Sequence, residues 1–493
     1  MTSMPDAQPA ATELGASGLL IGGIWQACEE TFPRFDPAHP GNCTGRYGAA
    51  TAADVVRAYE AAAGAAPAWA STAASARGEI LLRAAALLEE RLEEAAQRLT
   101  ADMGKAIRDA RGEAQRAAAI LRYHAADTAQ PIGETYASAD SELLLMTISE
   151  PVGVVCAITP WNFPLAIPAW KLAPALGCGN TVVWKPAEAA SGSAILLAEV
   201  LEQAGLPPGT LNVLTGSGAA LSEALVSDPH LNALTFTGSV PVGERLRLAA
   251  ASAKIKLQLE LGGKNPALVL ADAELAAAAD QVTRGAMLST GQRCTATSRV
   301  YVEADAYEEF AELLLERVAA LQVGDPYAET TDVGPLASRE QLLTVSRYLR
   351  LAGEESVEVL HGGTFADPEG EEGYYVAPTV LAGVDPESAL VREEIFGPVI
   401  VLAQVADFEA ALDAANATEF GLSASLFTRD IGRALTFARR IQTGQVHVNR
   451  ETTGAEPHVP FGGMKASSSL QREQGKAARS FFTNSKTVYL RPA

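Results

Sequence analysis

From Trp170 onward, strand-like and helix-like patterns alternate in strict turn, and no other property of the chain narrows its fold as much. The helical pattern "AWKLAPALGCG" leads to the strand pattern "NTVVWKP", and "GSAILLAEVLEQAGLP" leads to "LNVLTG". "GAALSEALVSDP" then precedes "LNALTFTG", and "PVGERLRLAAASA" precedes "KIKLQLELGG". Such alternation predicts a parallel sheet with helices on both faces, because parallel neighbours need a helix-sized crossover. A second series begins near Leu261 and runs to about Asn449, with "NPALVLA", "RVYVEA", "YEEFAELLLERVAALQ", "PVIVLAQV", "DFEAALDAANAT", "LSASLFT" and "GQVHVN". A chain of 493 residues is too long for one core. Two successive α/β units therefore predict two domains with a cleft between them.

Upstream, the first ~130 residues read as strand signals followed mainly by helix. "ASARGEILLRAAALLEERLEEAAQRLTADM" and "GEAQRAAAILRYHAADTA" each repeat apolar residues with helical period. "SELLLMTISEPVGVVCAIT" reads as extended, and the terminal "SKTVYL" is a β-rich end able to join another sheet. The uncharged stretch 151–170 is about long enough to span a bilayer. Pro160, Pro164 and Pro168 recur within it, each removing a helical hydrogen bond, so it reads as a buried strand and then an irregular, proline-set loop. A net charge of −21 argues against nucleic acid and anionic membranes as partners. The five cysteines form no CxxC pair and no zinc-like spacing, which points to a reducing, cytoplasmic setting without a metal site. The N-terminal "MTSMPDAQPAATELGASGLL" lacks a basic segment followed by an apolar core, so no signal peptide is expected.

Four places carry groups with chemical potential. In "FTGSVPVGERL" a strand runs through Gly238 and Ser239 into a helix start, with Gly243 beyond. Free N–H groups and the helix dipole at such a turn suit a phosphate, although an ordinary strand-to-helix turn reads the same way. Lys185 and Glu188 of "WKPAE" close a parallel strand, where they can hold a ribose or be plain surface charges. Glu260 sits among apolar residues in "LELGGKNP", where desolvation raises a carboxyl toward the range of a general base, although taken alone it reads more simply as a solvated glutamate at a strand end. Cys294 lies in a polar loop, "STGQRCTATSR", with no histidine nearby. Unpaired cysteines are more often inert and buried than reactive, and the missing histidine disfavours a Cys–His hydrolase.

Taken together, "PWNFP" (160–164), "WKLAPAL" (170–176), "WKPAE" (184–188), "FTGS" (236–239), "LELGGKNP" (259–266), "GQRC" (291–294) and "EEIFGPV" (393–399) resemble the aldehyde dehydrogenase superfamily in order and spacing. "AIPAWK" and "EPHVPFGGMKASSS…REQGKAARSFF" resemble its α-ketoglutaric semialdehyde (2,5-dioxopentanoate) dehydrogenase branch. The resemblance implies a Rossmann-like cofactor domain (1–132 and 151–258) and an α/β catalytic domain (259–449). It further implies a small β oligomerisation arm (133–150 and 470–493) and a substrate-tunnel loop (450–469). Cys294 would be the nucleophile, Asn162 an oxyanion donor, Glu260 the base that activates water, and Lys171 a proton relay. NAD or NADP would lie against Pro160, Trp161, Lys185, Glu188, Gly218, Gly238, Ser239, Gly243, Glu394 and Phe396. The implied partners are a small aldehyde and further copies of the chain, as a homodimer or homotetramer.

Within the superfamily, succinate semialdehyde dehydrogenases often carry an arginine before the lysine of "WK", where this chain has Trp170. An acidic aldehyde would then meet another cation, Arg293 or Arg450, with Trp170 and Thr295 also at the substrate. "SSSLQREQ" departs from the branch pattern, which usually has a glycine near Leu470. The expected reaction is NAD(P)-dependent oxidation of a short acidic semialdehyde such as 2,5-dioxopentanoate, with succinate semialdehyde or a broad range of aldehydes as the alternative. A coenzyme A-acylating enzyme would typically lack Glu260, and a non-enzymatic member would have no need of Cys294, Glu260 and Asn162 together.

Overall fold

The computed structural model describes residues 18–370 and 372–492. The segment on which the signal-peptide expectation rests lies largely outside them. Five parallel strands form the heart of the first sheet, in the spatial order Lys256–Glu260, Leu231–Thr237, Val154–Thr159, Thr181–Pro186, Leu211–Val213. The antiparallel hairpin Leu19–Ile21 and Ile24–Gln26 extends its far edge. Alternate side chains of each strand feed opposite cores. Val155, Ala157, Val182 and Trp184 pack on one face with the helices of residues 74–127, 166–177 and 191–203. Val154, Cys156, Val183 and Leu234 pack on the other, against Val55, Tyr59, Leu221 and Leu246.

Chain order reverses between Val154–Thr159 and Leu231–Thr237, which are adjacent and parallel. The turns leaving their carboxyl ends diverge to opposite faces and open a crevice there, the position at which doubly wound sheets bind ligands. Pro160, Trp161 and Asn162 leave one strand, while Gly238 and Ser239 leave the other. The edge strand Lys256–Glu260 continues directly into Asn265–Val269, the first strand of a second seven-stranded sheet. That sheet runs Glu358–His361, Thr379–Ala382, Val399–Val405, Thr297–Glu303, Asn265–Val269, Ser423–Phe427, Gln445–Val448, parallel except for its first pair. The α/β class and the two-unit organisation follow the alternation.

Three boundaries differ from expectation. The helix after the proline-rich stretch runs Ala166–Gly177, so it begins before Ala169. Pro168 is its third residue, in the first turn, where an N–H has no intrahelical acceptor to lose. The long helical pattern near residue 90 divides into Ala74–Glu90 and Leu92–Met103, with a break at Arg91 (φ −96°, ψ 20°). Of the expected arm segment 470–493, helix Gly475–Phe482 contributes Ala478, Phe481 and Phe482 to the first core. Only Thr483–Leu490 joins a separate sheet, antiparallel to Leu144–Pro151 over eight residue pairs, with Thr135–Tyr136 on the other side.

Candidate active site

The crevice at the strand reversal is a cleft of about 260 Å³ lined by Pro160, Trp161, Asn162, Thr237, Gly238, Ser239, Leu261, Gly262, Cys294, Gln341, Thr344, Glu394, Ile395 and Phe396. It thus gathers residues from both sheets and eight of the expected catalytic and cofactor positions. Its floor is the start of helix Val240–Ala253, with Ser239 at the N-cap making no side-chain capping bond. Gly243, one turn on, is buried against Leu261. Trp161 and Phe396 meet edge to face at 5.5 Å, forming an aromatic wall. Phe396 holds a positive φ of 57°, costly for a residue with a side chain, and Gln341 fixes it by donating to the Phe396 carbonyl at 2.9 Å. Glu394 accepts from the Gly263 N–H at 2.9 Å, and burial pushes its carboxyl up to about 7. A Cβ on Gly262 would fall 2.1 Å from that carboxylate, so the close approach requires glycine.

Farther along, Lys185 is buried and donates to the Pro186 carbonyl at 2.5 Å. Burial lowers its ammonium to about 8, against the opposing charges of Glu188 and Cys156. Gly218 starts helix Gly218–Ser227 beside it, 3.9 Å from the Lys185 Nζ to an added Cβ, and Glu188 stands exposed at the start of a short 3₁₀ turn. Lys185, Glu188 and Gly218 thus stand near one another at the end of strand Thr181–Pro186.

Cys294 follows a turn in which Ser289, Thr290 and Gly291 all have positive φ. Non-glycine residues hold such angles only when the surroundings fix them, and here they do. Ser289 donates to Asp109 through N–H and hydroxyl at 3.1 and 3.0 Å, and Thr290 donates to the Gly334 carbonyl at 3.1 Å. Asn265 donates to the Cys294 and Ala296 carbonyls, both at 2.9 Å. The Asn162 amide donates to the Gln292 carbonyl at 3.0 Å, which leaves its second hydrogen for another acceptor. Burial pushes the Cys294 thiol up to about 12, helped by the negative charges of Glu394, Glu260 and Glu473 and opposed by the Thr295 N–H.

Glu260 is buried, with its carboxyl raised by desolvation first and by Glu473 second. Ser468 donates to it at 2.9 Å, and its other oxygen has no partner among the described residues. Gly462, at φ 151°, makes room, since a Cβ there would lie 2.5 Å from the Glu260 carboxylate. Lys171 is buried in an ion pair with Glu473 and donates to Thr235 at 2.9 Å. Trp170 stacks on Phe461 of the 450–469 loop with ring centroids 5.6 Å apart.

The two candidate cations fare differently. Arg293 turns to Thr453 and Ser289 at 3.2 and 3.1 Å, with Asp109 and Glu451 at 3.7 and 3.9 Å. Arg450 is exposed. Thr295 is buried, its carbonyl accepting from Thr452 at 2.7 Å, which ties the 450–469 loop to the cysteine loop.

Sequence reading missed the residues that support this site. Lys105 is buried in an ion pair with Glu113, donates to the Asn162 carbonyl at 2.9 Å and lies over the Phe163 ring. Glu113 also accepts from the N–H groups of Leu165 and Ala166 at 2.9 and 3.2 Å, capping the helix that carries Trp170 and Lys171. A signal existed: Glu113 interrupts the apolar stripe Ala110, Ala114, Ala117, Leu121 of its helix.

The sequence pattern of the aldehyde dehydrogenase family matches residues 25–488. The chain is 45% identical over 458 residues to the α-ketoglutaric semialdehyde dehydrogenase of Bacillus subtilis, covering 93% of this chain and 94% of that one. It is 42% identical over 473 residues to the α-ketoglutarate semialdehyde dehydrogenase of Haloferax volcanii, covering 95% and 98%. Among solved structures, the NAD-dependent aldehyde dehydrogenase of Sinorhizobium meliloti superposes with a TM-score of 0.94 at 37% identity, over 97% of this chain and 96% of that one.

Proposed function

Because the chain belongs to the aldehyde dehydrogenase family, we propose that it oxidises a short acidic semialdehyde, 2,5-dioxopentanoate foremost, to the carboxylic acid with NAD or NADP. The observation that carries the chemistry is one cleft holding Cys294 and Asn162 beside Trp161, Ser239, Glu394 and Phe396. The substrate class rests on the likeness to the two semialdehyde dehydrogenases.

The cleft residues suit a dinucleotide: a helix start for the pyrophosphate, an aromatic wall for the nicotinamide, and Glu394 at its ribose. Lys185, Glu188 and Gly218 would take the adenosine ribose, with Pro160, Gly238 and Gly243 shaping the floor. When bound, the nicotinamide accepts the hydride from the aldehyde carbon.

The chain's own residues do the rest. The resting thiol of Cys294 is protonated, so its proton passes to solvent in the cleft as sulfur adds to the aldehyde carbon. The second Asn162 amide hydrogen and the Cys294 N–H receive the developing oxyanion, a donor of this kind contributing about 3 kcal/mol. Loss of hydride leaves a thioester on sulfur. Glu260, whose carboxyl is kept basic by burial, removes a proton from water as it attacks that thioester, freeing the acid and the thiol. Lys171 and Glu473 form the buried polar chain through which Glu260 exchanges protons with solvent. Trp170, Phe461 and Thr295 would wall the substrate path. With Arg293 engaged by Asp109 and Glu451, Arg450, in no ion pair among the described residues, is left as the cation for the substrate's carboxylate.

The domain assignment follows: the first sheet for the cofactor, the second for catalysis, residues 450–469 for the substrate path, and the three-stranded sheet for association as a homodimer or homotetramer. The free thiols suit a reducing cytoplasm. Glu260 disfavours transfer to coenzyme A, since a buried base delivers water instead.

A steady-state screen of 2,5-dioxopentanoate, succinate semialdehyde, glutaraldehyde and neutral aldehydes, each with both cofactors, tests the reading. 2,5-Dioxopentanoate is expected to give the highest kcat/KM, and Cys294→Ala to abolish reduced-cofactor formation. A neutral aldehyde turned over better would reject the substrate class, and a fully active C294A enzyme would reject the mechanism.

A further inference from the structure

The segment "LELGGKNP" supplies Glu260 to the reaction and Gly262 and Gly263 to the approach of Glu394, yet its lysine has no part in either. Lys264 is fully buried, and its ammonium donates to no acceptor among the described residues. A buried, unpaired ammonium is costly, so its retention calls for a partner that exerts its effect through space or through water. The other buried cation nearby is saturated: Arg299 donates to the carbonyls of Lys264, Ala414 and Ala415 and to the Tyr301 hydroxyl, at 2.9–3.2 Å. Arg293 is likewise engaged.

Lys264 lines a small cavity of about 20 Å³ together with Gly291, Arg293, Thr297, Glu394 and Phe396. That volume has room for about one water molecule. Glu394 and Phe396 also line the large cleft, so they form the partition between the two spaces. We propose that Lys264 is the positioning residue for Glu394: from behind the partition, its buried charge favours the ionised carboxylate that meets the cofactor's ribose on the cleft side. The inference rests on Glu394 being a cofactor ligand, as read above.

The charges around the pair agree in sign. Glu394 is raised by burial and opposed by the Gly263 N–H and by Lys264. Lys264 is lowered to about 7 by burial and by Arg299, while Glu394 and Glu393 raise it. Across the cleft, the Cys294 thiol is protonated at neutral pH and adds no charge. Each member of the pair therefore favours the charged form of the other, and a ribose hydroxyl binds Glu394 most strongly once that carboxyl is ionised, which the Lys264 charge brings to a lower pH.

Equilibrium binding of NADH, followed by calorimetry from pH 6 to 9, separates the possibilities without turnover. In the wild-type enzyme, binding should tighten as Glu394 ionises around pH 7. In Lys264→Met that tightening should move up by about one pH unit, leaving binding about tenfold weaker between the two midpoints. Glu394→Gln should bind weakly with little pH dependence, and the double variant should be no weaker than E394Q alone. Removing an uncompensated buried charge should leave folding intact, and Lys264→Gln, which keeps a donor toward the cavity, should behave like K264M. A K264M profile superimposed on the wild type, a K264Q profile like the wild type, or additive losses in the double variant would each overturn the proposal. Unchanged binding in E394Q would instead reject Glu394 as a cofactor ligand.

Discussion

At Cys294 the environment opposes the form that reacts. Burial and three carboxylates push the thiol up to about 12, with only the Thr295 N–H working the other way. Thiolate, not thiol, is the nucleophile, so the enzyme without ligands should react slowly with iodoacetamide at pH 7. The rate at Cys294, followed by peptide mass spectrometry because Cys43 is exposed, should climb roughly tenfold per pH unit, as the thiolate fraction does. Glu394 adds a directional test. Its carboxyl titrates near 7, so it repels the thiolate above that pH and is neutral below it. Glu394→Gln should therefore speed alkylation at pH 9 and change little at pH 6. Rapid modification of the wild type at pH 7 would mean that the resting sulfur is already ionised. The identities of Cys294, Glu260 and Asn162 are legible in the sequence because each sits in a short motif with a chemical rationale. The state of the sulfur is not, because Glu394 and Glu473 come from segments 100 and 179 residues away, brought together only by folding.

At the level of elements, the cleft depends on how helix Ile107–Asp127 is stapled to helix Ala166–Gly177. Glu113 joins them: it pairs with Lys105, which holds the Asn162 carbonyl, and it caps the N–H groups of Leu165 and Ala166. Removing one member of a buried pair strands the other charge, at a cost of about 3–5 kcal/mol. Glu113→Ala should accordingly lower the chemical-unfolding midpoint and reduce kcat through a displaced Asn162. The double change Lys105→Met with Glu113→Leu should recover most of the stability but not the activity. Full stability in E113A would show that the two helices are held by apolar packing alone. Strand and helix order was legible because their periods differ, 2.0 against 3.6 residues. Boundaries were less so. Pro168 looks like a helix breaker until the first turn is known to include it, and Arg91 interrupts a helical pattern without any glycine or proline to mark the place. The roles of Lys171 with Glu473 and of Glu260 with Ser468 depend on partners 302 and 208 residues apart, beyond any local pattern.

For the whole molecule, the unresolved balance is between a net charge of −21, which makes copies repel, and an arm that displays apolar side chains. In the three-stranded sheet, Tyr489 is 67% exposed, Leu490 48% and Leu144 47%, and Ile132 just before it is 56% exposed. Leu490 stands opposite Leu144 in the register, so these two share a face of the sheet, while Tyr489, next to Leu490, belongs to the other. A sheet of three short strands open on both faces buries too little to be stable alone, and exposed apolar side chains on both of its faces suit a contact with another subunit. The base of the arm is secured within the subunit, since Asn180 donates to the Phe482 carbonyl at 3.0 Å and Lys256 to the Thr483 carbonyl at 2.5 Å. Point changes at the tip should therefore disturb association without disturbing the fold. Leu144→Asp combined with Leu490→Asp places two like charges opposite one another and adds to the repulsion between copies. Light scattering on the eluting protein should show the wild type as a dimer or tetramer of the 51.5 kDa chain and the double variant at a lower mass. The dissociated subunit keeps all fourteen of the cleft residues named above, so it should still bind NADH with an unchanged dissociation constant. A wild-type mass of one chain would leave the apolar arm without a partner of its own kind, and a loss of NADH binding on dissociation would mean that the neighbouring copy stabilises the cleft.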